Sequence, residues 1–407
     1  MPGLDKILFI SCLYPDGLRE SLIANSRNGI QFAADKLQWN IVKGLDQHHH
    51  HPVQIVNAPA IGSYPLLHRK LFIDRIEFSH AKGSADISAG YCNLAILKNT
   101  FIRRSLQNEL NKFSNGSADD MMLIVYGLLP SQLLAAIKFK EKSPGARICA
   151  IVPDLPEYMN NSGNPIFIAR DRLKTDVYSL LDRIDGFVFL TDKMASHERI
   201  PDKPWIRIEG MVNPLEFAGY NPVRNDDEFV ILYTGTLARR YGIPELLEAF
   251  EMIDDDSYKL WIYGEGEARK LIINKSRVNK NIRYLGVVRS EQMRQIQQNA
   301  TVLVNPRIPA DDYTRYSFPS KTMEYYLSGT PVIMYRLSGI PEEYYPYAYC
   351  VDKPDVQNLS DKIVEVCSYP REVRDAKGSA AREFVLKEKN YTVQTKKIYE
   401  FLARIGK

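Results

Sequence analysis

The segment FVILYTGTLARRYGIPELLEAF, Phe229 to Phe250, has the pattern of one βα unit. A continuous apolar run from Phe229 to Tyr233 is followed by a turn at Gly235 and Thr236, a loop carrying Arg239 and Arg240, and an amphipathic helix with Pro244 at its first position. A strand apolar at successive positions is buried on both faces, as strands of parallel sheets are. The same alternation continues in both directions. Upstream, Lys6–Cys12, Val53–Val56, Met121–Tyr126, Arg147–Val152 and Gly186–Leu190 are expected strands; downstream, Lys259–Tyr263, Ile282–Leu285, Thr301–Asn305, Pro331–Met334 and Tyr349–Val351. Two such series in 407 residues predict two α/β domains rather than one enlarged core.

Between the series lies IEGMVNPLEFAGYNPVRNDDE, rich in Pro, Asn, Gly and charge, and the boundary is placed near residue 215. The expected domains are 1–214, 215–385 and a C-terminal helical tail, 386–407. The tail carries Tyr391, Ile398, Phe401, Leu402 and Ile405 at mostly helical spacing with a break near Asn390, and spacing alone does not say which domain it packs on.

The formal net charge of +4 is small for this length and argues against a nucleic-acid partner. Five scattered cysteines without a CxxC pair fit free thiols in a reducing compartment and suggest no zinc site. The opening MPGLDKILFISCLYP has too short an apolar run for a secretory signal, and nowhere do eighteen apolar residues run together. The expectation is a cytoplasmic protein, in contact with a membrane only peripherally, at its inner face. His48–Pro52 is expected to be an exposed loop, since consecutive side chains cannot converge on one metal ion. Leu94–Phe113 mixes apolar residues with Lys98, Arg103, Arg104 and Lys112; it could rest on anionic lipid or pack on the first sheet.

YSFPSKTMEYYLSGTPVI, Tyr316 to Ile333, holds the densest set of candidate site residues. Pro319 fits the first helical position, Ser317 or Phe318 the cap, and Gly329 the residue past the end. The first-turn amides favour an anion. Lys321 and Glu324 share a face with Ser320 adjoining, so phosphates could meet the amides and Lys321 while ribose hydroxyls donate to Glu324. The same two residues could equally form a surface ion pair. Gly264 and Gly266, after the strand ending in YKLWIY, would let backbone approach a ligand closely.

In order, YTGTLARRYGIPELLEAF, LWIYGEGE, IRYLGVV, EQMRQIQQNATVLVNP and FPSKTMEYYLSGTPVI resemble the successive signatures of a glycosyltransferase family 4 donor domain. The resemblance implies an α/β fold of the GT-B type, two Rossmann-like domains facing a central cleft, with the C-terminal helix crossing back to the first domain. It further implies retaining transfer of a sugar from a nucleotide-diphosphate sugar to a glycan or polyprenyl-linked acceptor, in surface polysaccharide biosynthesis, with no metal or other cofactor required. Glu324 matches the second glutamate of the family's E-x7-E motif, the ribose ligand, and Gly235 matches the donor-loop glycine.

Where the family has arginine and lysine after that glycine, this chain has Thr236 and Tyr241, leaving Arg239, Arg240 and Lys321 to carry phosphate charge. Tyr316 stands where the first glutamate would be, which puts the sugar's identity in doubt. Val287 and Val288 resemble the base-reading loop or are ordinary core residues. In the first half, Asn28 and Gly29 match a phosphate-facing loop, and Asp154, beside Pro153 where many relatives carry histidine, is the catalytic candidate. It could also simply cap a turn. Two other classes stay open: a non-catalytic nucleotide-sugar-binding subunit, and a sugar-nucleotide 2-epimerase of the same fold.

Overall fold

The computed structural model describes residues 4–27, 30–113, 121–158, 176–217, 228–309 and 312–405. The chain forms two compact units, one comprising residues 1–209 with 391–407 and the other 210–390.

The first unit contains strands β1 (Lys6–Ser11), β2 (Gln54–Asn57), β3 (Phe72–Ile73), β4 (Ile76–Phe78), β5 (Asp86–Ser88), β6 (Tyr91–Cys92), β7 (Met121–Tyr126), β8 (Arg147–Val152), β9 (Gly186–Phe189) and β10 (Trp205–Arg207). Eight of them form a sheet in the order β10-β9-β8-β7-β1-β2-β5-β4, parallel except for the β4–β5 pair. Every residue of β7 is buried, which is why that strand is an unbroken apolar run. Helices Phe32–His48 and Pro130–Lys142 are among those that connect the strands.

The Tyr391–Ile405 helix packs on Phe32–His48 within this unit. Gly44 permits the approach, because a Cβ there would stand 2.8 Å from the Tyr391 carbonyl oxygen and closer still to the Thr395 side chain. The tail's break falls between helices Arg371–Glu388 and Tyr391–Ile405, with Asn390 bridged to Val212.

The second unit holds β11 (Phe229–Thr234), β12 (Tyr258–Tyr263), β13 (Ile282–Tyr284), β14 (Val302–Asn305), β15 (Val332–Tyr335) and β16 (Tyr349–Val351) in one all-parallel sheet, ordered β13-β12-β11-β14-β15-β16. The chain steps outward from β11 to β13, then returns to β14 beside β11 and steps outward the other way. The strand order therefore reverses between β11 and β14, the place where open α/β sheets bind ligands.

Two expectations need correction, and one open alternative is decided. His48 ends a helix and His49 is buried, its Nε2 2.7 Å from the Leu4 carbonyl oxygen, while His50 and His51 are exposed outside any helix or strand as expected. Of the two alternatives for Leu94–Phe113, packing is the one the structure bears out: the Lys98–Leu110 helix buries Ile102, Leu106 and Leu110 and packs on Pro130–Lys142 and β2, so its apolar stripe is not available to lipid. Pro319 occupies the cap itself, not the first helical position, and the helix runs Ser320–Ser328 with Gly329 in the left-handed region at its end.

Candidate functional site

Three loops meet beyond the carboxyl ends of β11, β12 and β13. Gly235 donates its N–H to the Tyr263 carbonyl at 3.0 Å, and Gly264 donates to Gly286 at 2.8 Å. Gly264 has φ +136°, and a Cβ there would overlap the Gly235 carbonyl oxygen. Gly266 is pressed in the same way on the Leu237 carbonyl, 2.6 Å from its would-be Cβ. The close approach these two glycines allow is thus backbone on backbone, locking the loop after β11.

Against that loop lies the start of the Ser320–Ser328 helix. No side chain caps its first turn. The Lys321 stem packs on Gly235, its Cε 3.2 Å from where a Cβ would be. Lys321 Nζ is 2.8 Å from a Glu324 oxygen, and Gln297 Nε2 donates to the other Glu324 oxygen at 2.7 Å. Gln297 also donates to Thr234 Oγ1 at 3.0 Å. Tyr325, fully buried, donates from its hydroxyl to the Thr234 carbonyl at 3.0 Å and accepts from the Thr234 N–H at 2.9 Å. Burial pushes that phenol up, so it stays neutral and the helix is tied to the last residue of β11. The Lys321 and Glu324 side chains are 32% and 28% exposed, reachable from solvent while held from behind.

Arg239 and Arg240 lie exposed in a short 3-10 turn, Arg239–Tyr241. The Arg239 N–H donates to Glu267 at 2.9 Å, whereas the Arg240 guanidinium stacks 4.7 Å above the Tyr313 ring and 5.2 Å from Tyr241. Arg307, which follows β14, stacks on the same two rings from 4.2 Å (Tyr241) and 5.3 Å (Tyr313). Burial raises the Tyr241 phenol, but Arg307, Tyr313 and Arg240 outweigh it and hold the group below its ordinary value.

The structure gathers Gly235, Thr236, Gly264, Lys321, Glu324 and Arg240 around the strand-order reversal. Ser317 and Phe318 turn inward instead. Ser317 is buried and donates to the Tyr313 hydroxyl at 3.1 Å, so it does not cap the helix; Phe318 is buried against Tyr344. Ser320 is exposed in the first turn, and Val287, 67% exposed, is no core residue, with Val288 half-buried beside it. Asp154 is half-buried just past β8 in the first unit, its charge acting on the buried Tyr126 phenol. Asn28 and Gly29 lie outside the described residues.

Gln297, Asn305 and Arg307 were not expected in the site; only their nearness to strand β14 could have hinted at them. Among the described residues no three His, Cys, Asp or Glu side chains gather as a metal site would require. Among them, too, no helix is long and apolar enough to cross a membrane.

Residues 228–368 match the family model described as Glycosyl transferases group 1. The sequence matches no curated protein. Among solved structures, the chain is similar to a sucrose-phosphate synthase from Thermosynechococcus elongatus, at 15% identity and TM-score 0.67 over 98% of this chain and 99% of that one. HepE of Anabaena, solved in complex with UDP, is 11% identical with TM-score 0.63, over 98% of this chain and 100% of that one. A trehalose-phosphate synthase from Burkholderia xenovorans, in complex with glucose-6-phosphate, is 13% identical with TM-score 0.63, over 98% and 100%. The fold is that of the GT-B glycosyltransferases. With the matched domain it defines the class: a transferase of glycosyl groups.

Proposed function

We propose that this protein is a retaining glycosyltransferase that moves a sugar from a nucleoside-diphosphate donor to a glycan or polyprenyl-linked acceptor in surface polysaccharide synthesis. The observation that carries the reading is the Lys321–Glu324 pair at an uncapped helix start, packed on Gly235 where the strand order reverses. A diphosphate there meets Lys321 and the first-turn amides, and Glu324 accepts from the ribose hydroxyls. As the sugar–phosphate bond breaks, negative charge grows on the departing diphosphate. Cationic and amide donors fixed in advance help most at that moment. Arg240 adds charge at the rim, and Asp154 is the carboxylate assigned to the acceptor hydroxyl's proton. No metal or other cofactor is needed for these steps.

Peripheral membrane contact is part of the proposal, carried not by the Lys98–Leu110 helix but by what precedes it. Leu66, Phe72, Leu94, Ile96 and Leu97 are exposed, with Arg69 exposed among them in sequence. Apolar side chains with a basic neighbour suit an anionic lipid surface. Flotation with phosphatidylglycerol vesicles, lost in Ile96→Glu/Leu97→Glu, tests it; equal flotation of both proteins sinks it.

The deciding experiment for the function is incubation of nucleotide sugars with and without glycan or lipid-linked acceptors. Acceptor-dependent release of nucleoside diphosphate is expected. Nucleotide binding without turnover on any acceptor would instead indicate a binding subunit, and an epimerised donor in the absence of acceptor an isomerase.

A further inference from the structure

Arg307 leaves the carboxyl end of β14 with only 8% of its surface exposed, and its Nε and Nη1 are buried without a hydrogen-bond partner. A guanidinium keeps its charge at any ordinary pH and offers donors only. Sealing such a charge from water without an acceptor is costly, and stacking on Tyr241 and Tyr313 recovers only part of that cost. Two residues earlier, Asn305 Nδ2 is also buried and unpartnered. Three donor atoms without an acceptor describe a place for an anion.

The location agrees. β14 pairs with β11 through Ile231–Val302 and Leu232–Leu303, so Arg307 follows one flank of the strand-order reversal and Gly235 the other. The Tyr233 hydroxyl links them: it lies 3.5 Å from where a Gly235 Cβ would be, a point 3.2 Å from Lys321 Cε, and it feels the charge of Arg307. Tyr241, on which Arg307 stacks, is the residue standing where the resemblance implies a lysine.

We infer that Arg307, assisted by Asn305, receives an oxyanion of the sugar donor, either the sugar-proximal phosphate or the carboxylate of an acidic donor sugar. It supplies from the end of β14 a buried cation, where Arg239 and Arg240 of the β11 loop are exposed. This inference rests on the second unit being the nucleotide-sugar domain.

The test compares the full chain with Arg307→Met, which keeps the stem's length and removes the charge. Melting temperature is read without ligand, and affinity by calorimetry for pyrophosphate, UDP, GDP, UDP-glucose and UDP-glucuronate. Without ligand the variant should melt no lower than the parent, since an apolar side chain replaces an unpaired buried charge. With a phosphate at Arg307, affinity for pyrophosphate and for the nucleoside diphosphate that binds falls roughly 10- to 100-fold, as for a lost charge-assisted hydrogen bond. With a carboxylate there, only UDP-glucuronate weakens by that factor. Equal affinities of both proteins for every ligand overturn the inference. Pyrophosphate binding that depends on Arg307, with no nucleotide bound by the parent, keeps the oxyanion site and removes the nucleotide reading. A parent that binds none of the five overturns both.

Discussion

Glu324 is held by two donors from different elements: Lys321 Nζ at 2.8 Å from within its own helix and Gln297 Nε2 at 2.7 Å from the helix Ser290–Asn299. Gln297 in turn reaches Thr234, the last residue of β11. The carboxylate is therefore aimed before any ligand arrives, and orienting it then costs little conformational entropy at binding.

Glu324→Ala separates that role from stability. The ion pair is about a third exposed on each side, so its loss should cost only about 0.3–0.5 kcal/mol of folding free energy, and Gln297 keeps Thr234 as an acceptor. Nucleoside diphosphate affinity should fall by roughly 1.5–3 kcal/mol, the worth of charge-assisted hydrogen bonds to ribose. Calorimetry showing unchanged affinity would remove Glu324 from the ribose.

Gly264→Ala and Gly286→Ala make a matched pair. Both glycines have positive φ, +136° and +72°, but a Cβ at Gly286 meets nothing within 4 Å, whereas one at Gly264 overlaps the Gly235 carbonyl. Gly286→Ala should cost about 1–2 kcal/mol for its backbone conformation alone. Gly264→Ala should cost about 3 kcal/mol or more and weaken nucleotide binding as the Gly235 loop shifts. Comparable denaturant midpoints for the two variants would mean that the loops are not locked as described.

The legible part of this molecule is the part buried on both faces. β11, β12, β14 and β15 lie within one residue of the apolar runs that predict them, because a parallel strand covered by helices has no polar face to interrupt it. β3, β4, β5, β6 and β10 are two or three residues long and are not among the expected strands, whereas the equally short β13 and β16 are, as members of the regular βα series of the second unit. At the site, Lys321 and Glu324 share a face by helical spacing and could be paired from sequence. Arg307 could not. In the sequence it is one arginine in a loop, and its meaning lies in being buried without an acceptor, a property of the fold.

Asp154→Asn keeps the side chain's shape and removes its charge. If this residue takes the acceptor's proton, turnover should drop on the order of 100-fold or more with nucleotide affinity unchanged, as for loss of a general base. Steady-state rates at saturating donor decide it; a variant as fast as the parent leaves Asp154 as a turn residue.

His80 couples folding of the first unit to pH. Its Nδ1 lies 2.6 Å from Asp86 Oδ2 and its Nε2 2.9 Å from Asp46 Oδ2. Both aspartates are anchored to β2 or its start, Asp46 accepting from the Val53 N–H at 2.8 Å and Asp86 from the Ile55 N–H at 2.9 Å. With a carboxylate at each ring nitrogen, the imidazolium is the form that can donate to both. Burial alone would lower the ring's pKa, but the hydrogen bonds and charges of the two aspartates override it and raise the pKa from 6.5 to about 9. Because the folded value lies above the unfolded one, the contribution is complete below about pH 6.5 and is lost as pH rises through 9, up to about 3 kcal/mol in all. Urea unfolding of the first unit at pH 6, 7.5 and 9 should show this decline, and His80→Gln should flatten it by lowering stability at pH 6 much more than at pH 9. Parallel pH profiles for parent and variant would mean that the bridge carries no charge.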